Sequence, residues 1–400
     1  MRLLGENQTQ WRHLLTGLVA LLISAVAALV AGVYLGSQRE LLALIPALLI
    51  LLPPSINMRG SISGVLASRL SSSMHLGGFS VDFSGSGLLG KNLRVTFAVT
   101  VVISFVLAIF AWMLGGFFGI DVLSPLDLVV ISVISGIVSG LIVMGVTLLI
   151  VMVCYKKSID LDMVAAPTVT TAGDLATLPI LLITGIWAMQ LDPVIREYLF
   201  GGIAILLVIV AAYFLATSQS MKEIARELVP LLIILSLVGT LAGVTYTLDL
   251  ENLVSLPVFL ILIPPFTGGC GSIAGILCSR LATGMHMGWI EPSVLPEKRV
   301  LPYFKENYLY AIVIFPVMAL LASVVSGMMG LFCPPAVIIV LAILLAGLIV
   351  LTFTTVIAYS TATLSFRYGL DPDNFGVPVI TSVIDLIGAL VLVTTINILI

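Results

Sequence analysis

Eight tracts of this chain contain no Asp, Glu, Lys or Arg: residues 13–38, 41–58, 95–120, 128–155, 198–221, 228–248, 252–279 and 307–366. About 20 apolar residues in a helix cross the hydrocarbon core of a bilayer. The last tract holds sixty residues, enough for two spans, and Cys333-Pro334-Pro335 marks the turn between them. Two further apolar stretches, 164–190 and 375–400, carry Asp174 and Asp385 in their interiors. The pattern predicts an all-α polytopic membrane protein with eleven transmembrane helices. The first tract is about twice as long as the apolar core of a signal peptide, so it reads as a span.

The same pattern is written twice. Asp160, Asp162, Pro167, Thr170, Asp174 and Leu175 recur 211 residues later as Asp371, Asp373, Pro378, Thr381, Asp385 and Leu386. At the same offset, Pro53-Pro54, Gly60-Ser61-Ile62, Gly64 and Ser68-Arg69-Leu70 recur as Pro264-Pro265, Gly271-Ser272-Ile273, Gly275 and Ser279-Arg280-Leu281. Each copy supplies five spans, one copy within 1–190 and the other within 223–400, with a linker span in 191–222. Five is odd, so a direct fusion inverts the second copy, and the linker helix restores its orientation. The expected architecture is two parallel five-helix repeats related by an axis along the membrane normal. A fused pair of copies is its own dimer, so a single chain is expected to function as a monomer.

Composition agrees with the hydropathy pattern. Only 9% of residues are charged, against about 25% in soluble domains, and the mean hydropathy is +1.24. The expected partner on these grounds is a lipid bilayer, not nucleic acid. With the N-terminus inside, fifteen of the seventeen Lys and Arg fall on cytoplasmic segments or helix ends, and only Arg39 and Arg196 fall outside. That bias predicts a multi-pass protein of the cell membrane, N-terminus cytoplasmic and C-terminus outside. The four cysteines form no CxxC pair and read as small buried hydrophobes. No GxxxxGK[ST] phosphate loop occurs, which argues against ATP-driven pumping.

The candidate chemistry lies in the two interior acids. An ionised carboxylate at bilayer depth is costly unless it lines water or meets a cation. Asp174 stands about 15 Å along its helix from the cytoplasmic end, near the bilayer midplane. Asp160 and Asp162, with Asp371 and Asp373, form an acidic inner mouth to a pathway at the repeat interface lined by Asp174 and Asp385. Thr170, Thr171, Thr381, Ser61 and Ser272 add hydroxyls. Each double proline frees carbonyls one turn earlier, near Leu49-Ile50 and Leu260-Ile261, and these are expected to face a cation. This is hard oxygen chemistry, suited to Mg²⁺, Ca²⁺ or Mn²⁺.

Two motifs carry a family resemblance. One runs from Pro54 through Gly60-Ser61 and Gly64 to Ala67-Ser68-Arg69-Leu70, with a twin from Pro265 to Leu281. The other is Asp160, Pro167, Thr170 and Asp174, with its twin Asp371, Pro378, Thr381 and Asp385. With these the chain resembles the membrane domain of the MgtE family of magnesium transporters. It is most similar to the tandem-duplicated eukaryotic solute-carrier branch and its prokaryotic relatives. The resemblance implies Mg²⁺ as the transported ion, with Asp174 and Asp385 as the central ion-binding acids and Asp160 and Asp371 on their cytoplasmic side. Gly60-Ser61 and Gly271-Ser272 stand where the family often has Gly-Asn. The cytoplasmic N and CBS domains that sense magnesium in bacterial members have no counterpart in this sequence, so gating is expected to use the membrane domain itself.

Two other readings bear on the same acids. A sodium- or proton-coupled carrier of another solute would use them as coupling sites, with Na⁺ as a coupling ion. An intramembrane aspartyl protease also places two acids on two helices. Its GxGD context is missing, because Asp174 follows Thr171-Ala172-Gly173 and Asp385 follows Ser382-Val383-Ile384. The chain is therefore read as a transporter and not an enzyme.

Overall fold

A computed structural model describes residues 2–75, 82, 87–157, 161–293, 295–369 and 376–399. Every regular element among them is a helix: α1 Arg2–Ser37, α2 Arg39–Leu44, α3 Ala47–His75, α4 Leu88–Phe117, α5 Pro125–Lys157, α6 Leu161–Gln190 and α7 Pro193–Ala216, followed by α8 Gln219–Leu248, α9 Leu250–Ser255, α10 Pro257–His286, α11 Leu301–Met328, α12 Ala336–Tyr368 and α13 Val377–Leu399. Eleven are long and two, α2 and α9, are single short turns.

The duplication extends to the ends of these elements. Shifted by 211 residues, α2 falls on α9 and α5 on α12 at both ends, while α1, α3 and α4 end where α8, α10 and α11 end. The turns after α4 and α11 also match, each placing a left-handed glycine at the equivalent position (Gly119, φ 72°, and Gly330, φ 67°). A Cβ disfavours that conformation, and glycine there closes the helix end. Among the described elements, α7 alone has no counterpart at that offset.

Ten of the helices are long and apolar enough to cross a membrane. The eleventh, α3, is one residue shorter than its twin α10 and carries Asn57 and Arg59 where α10 has Gly268 and Cys270. Helix α7 presents apolar side chains all round: Tyr198, Ile205, Val208 and Leu215 are exposed, while Val210 packs on Ala98 and Val101 of α4. A helix that is apolar on every side is stable in lipid and not in water.

The chain forms two compact units, one of residues 1–39 with 251–400 and the other of residues 40–250. In the 40–250 unit, α3 is central and packs on α4, α5, α6 and α8, with α7 outside against α5, α4 and α8. Residues Leu48 to Leu52 of α3 are at most 1% exposed. In the other unit α10 takes that place, packed on α1, α11, α12 and α13. These units divide the chain differently from the sequence copies. The first helix of each copy packs on the double-proline helix of the other: α1 on α10 and α8 on α3.

Glycines make those two contacts close. A Cβ on Gly32 of α1 would collide with the Ile261 carbonyl oxygen, and one on Gly243 of α8 with the Ile50 carbonyl oxygen. Gly239, one turn before Gly243, lies against Pro54, where a Cβ would be 3.0 Å from the proline Cα. Small residues allow such backbone approach between membrane helices, where packing replaces hydrophobic exclusion as the driving force.

Candidate ion site

The two double prolines do not end their helices; α3 runs through Pro53-Pro54 and α10 through Pro264-Pro265. Each proline lacks the N–H that would bond the carbonyl four residues earlier. At Ile50 and Ile261 the expectation of a cation-facing carbonyl is corrected. Both residues are fully buried, and their carbonyls meet Gly243 and Gly32. Glycine Cα–H groups at this range form weak hydrogen bonds that partly satisfy the released oxygens. These prolines serve helix packing at that level of the fold.

In the 40–250 unit, α6 lays Gly173 against α3. A Cβ on Gly173 would be 3.6 Å from the Gly60 nitrogen and 3.9 Å from Arg59 Cβ. Asp174, the next residue, is half-buried and makes no hydrogen bond or ion pair with any described residue. Thr171, one turn earlier, is also half-buried. Ser61 of α3 is 8% exposed and donates toward Asn57 Oδ1 at 3.4 Å.

In the other unit, α13 packs on the matching turn of α10. Asp385 is half-buried. One turn earlier, Thr381 lies against Gly271, its hydroxyl donating to the Pro378 carbonyl at 3.1 Å. Gly388, one turn later, faces Phe266 and Thr267. Ser272 is half-buried on the same stretch of α10. Each unit thus sets one carboxylate beside the small-residue turn that follows its double proline. Asp160, Asp371, Asp373 and the side chains of Asp162 and Thr170 lie outside the described residues. No cluster of three or more His, Cys, Asp or Glu side chains suited to a metal ion occurs among the described residues.

Arg69 and Arg280 each engage the same position of the following helix. Arg69 donates to Asn92 at 3.0 Å, and Arg280 stacks over the Tyr303 ring at 5.3 Å while pairing with Glu306. Arg196, read as a basic residue on the outer side, is neutralised by Asp127 at 2.7 Å.

Arg59 was missed. The charge count placed it among cytoplasmic segments and helix ends, but it stands mid-way along α3 and is 2% exposed. Its Nη2 donates to Ser104 at 2.8 Å, and its Nε and Nη1 have no partner among the described residues. The available signal was in the repeat: its counterpart is Cys270, so the copies differ by a full charge at one buried position.

Comparison with known proteins matches this two-copy architecture. The MgtE family model, described as divalent cation transporter, matches residues 52–184 and again 263–395, ranges that differ by the same 211-residue offset. Human solute carrier family 41 member 2 is 26% identical over 402 residues, covering 94% of this chain and 68% of its own length. Rat solute carrier family 41 member 3 is 26% identical, covering 92% of this chain and 84% of its own length. The mouse member 3 is 27% identical, with coverages of 85% and 73%. No solved structure matches. Two matches of a transporter family model, one on each copy, place the chain in the MgtE family of divalent cation transporters.

Proposed function

We propose that this chain moves Mg²⁺ across the membrane and that Asp174 and Asp385 are the groups the ion meets at bilayer depth. One observation carries the proposal: each copy sets one half-buried carboxylate in the interior of a helix, within a stretch otherwise free of charge (163–190 and 376–399), at equivalent positions. Buried acids of this kind are stable as anions only when water or a cation reaches them. Mg²⁺ sheds water reluctantly and is typically held by one or two carboxylates with several waters retained. Few protein ligands are therefore needed, and none has to be a sulfur or an imidazole. Thr170, Thr171, Thr381, Ser61 and Ser272 supply hydroxyls for the ion's hydration shell. Asp160, Asp162, Asp371 and Asp373 concentrate cations at the inner mouth. The working unit is the monomer, inserted with its N-terminus in the cytoplasm.

The test is magnesium uptake into liposomes holding the purified chain, with and without a sodium gradient. Uptake that needs no gradient marks passive flow. Uptake that follows the sodium gradient makes Na⁺ a coupling ion. An absence of magnesium movement under both conditions overturns the proposal.

A further inference from the structure

The interior stretches of the 40–250 unit hold one cation and one anion. Between Ala47 and Ser68 of α3 the only charged residue is Arg59, and between Met163 and Gln190 of α6 it is Asp174. Residues 95–117 of α4, 128–155 of α5, 198–216 of α7 and 228–248 of α8 contain none. The two lie at one level, because Gly173 abuts Arg59 Cβ and the Gly60 backbone. In the other unit, Asp385 is the only charged residue in the corresponding interiors of α1 and α10 to α13.

The guanidinium sits in a place shaped for it. A Cβ on Gly136 of α5 would come within 2.6 Å of Arg59 Nη2 and would also collide with Ser104. Around it, Ser104 donates to the Thr100 carbonyl at 2.7 Å, Ser132 to the Ser104 carbonyl at 2.7 Å and Ser139 to the Ser135 carbonyl at 2.6 Å. These hydroxyls are committed as donors, and they supply no carboxylate to balance the charge. The twin of this cradle is apolar: Phe315 replaces Ser104, Cys270 replaces Arg59, and the Phe315 ring packs directly on Gly347, the counterpart of Gly136. Beside the shared glycine, one copy thus keeps a cation and a hydroxyl where the other fills the space with an aromatic ring.

An arginine buried at this depth carries a permanent charge and five donors. Of these groups, Nε and Nη1 are unpartnered in the Ser104-bound position. Asp174 follows Gly173 on the turn packed against Arg59 Cβ, and it is the one acid in the interior stretches of this unit. We propose that Arg59 is a tethered competitor for the cation at Asp174. It rests on Ser104 while the ion occupies Asp174 and pairs with the carboxylate when the ion leaves. Cys270 stands at the equivalent position in the other copy, so the two copies are chemically unequal despite their shared pattern. This inference rests on the magnesium reading of Asp174 given above.

The test is Mg²⁺ binding by calorimetry on the purified full chain, with uptake measured in liposomes. Removing a positive charge beside the binding carboxylate favours the dication, so Arg59→Met is expected to bind Mg²⁺ about tenfold more tightly or better, with slower turnover. Arg59→Lys keeps the charge and is expected to stay close to the wild-type affinity. Unchanged affinity in folded Arg59→Met overturns the proposal. If Arg59→Met does not fold, the double variant Arg59→Met/Asp174→Asn decides. Both charges are then removed together, and it is expected to recover the thermal stability lost by Asp174→Asn alone. A double variant no more stable than Asp174→Asn overturns the pairing. Asp174→Asn with wild-type Mg²⁺ affinity overturns the magnesium reading of that acid itself. Asp174→Asn weakened beside an unchanged Arg59→Met removes only the role of Arg59.

Discussion

Gly243 of α8 lies so close to Ile50 of α3 that a methyl group in place of its hydrogen would overlap the Ile50 carbonyl oxygen. That oxygen is the one left without an N–H by Pro54. The repeat sets the same relationship between Gly32 of α1 and Ile261 of α10, below Pro265. The double proline and the glycine therefore act together. One strips a helix of a hydrogen bond, and the other brings a neighbouring backbone near enough to shelter the exposed carbonyl.

Alanine at Gly243 or Gly32 is expected to destabilise the fold, because backbone atoms on both sides cannot rotate away. Overpacking of this type typically costs about 1–3 kcal/mol. Alanine at Gly64 or Gly275, where an added Cβ meets nothing within 4 Å, is the control. There the higher helix propensity of alanine, worth about 1 kcal/mol in a helix interior, should leave stability equal or improved. Thermal melting in detergent on all four variants checks the contrast, and equal melting temperatures would remove the packing role assigned to the glycines.

Neutralising either interior acid is expected to reduce Mg²⁺ transport sharply. At an effective dielectric near 20, a carboxylate about 5 Å from a dication contributes roughly 6–7 kcal/mol before desolvation is subtracted. A quarter of that surviving is already about a tenfold change in affinity. Asn keeps the shape and loses the charge, so Asp174→Asn and Asp385→Asn should rescue little. Calorimetry that finds both at wild-type affinity ends the pathway assignment.

The acids of the inner mouth should behave differently. Asp160, Asp162, Asp371 and Asp373 replaced together by Asn are expected to shift the dependence of flux on internal magnesium more than the peak flux. Surface acids raise local cation concentration, an effect that weakens with ionic strength. Equal loss of both quantities at all salt concentrations would count against a mouth role.

The Asp127–Arg196 pair joins α5 to α7 with side chains 13% and 18% exposed. Partly exposed pairs contribute about 0–1 kcal/mol. Arg196→Gln should therefore leave melting and transport close to wild type. A loss of several degrees would show that α7 is held by this contact more than by its apolar packing on Val101.

Much of this architecture is legible in the sequence alone. The uncharged tracts locate the long helices because lipid, as a solvent, permits little else over about 20 residues. The interior acids stood out for the same reason. Arg59 was visible as a letter but misread. Its surroundings, Ser104 and Gly136, lie 45 and 77 residues further along the chain. Nothing local distinguishes a cradled arginine from one near a helix end.

By itself the sequence determined the duplication, the 211-residue offset, the helical class and the family, since each follows from residue type and spacing along one strand of chain. Tertiary structure decided which helices share a unit. Helices α1 and α8 carry the same glycine at equivalent positions, and α3 and α10 carry the same double proline, so either pairing satisfies the pattern. Only the course of the backbone selects α1 with α10 and α8 with α3. It likewise turned two carbonyls from candidate ion ligands into packing contacts. A released oxygen has no fixed partner until a second helix arrives, and the helix that arrives here carries a glycine.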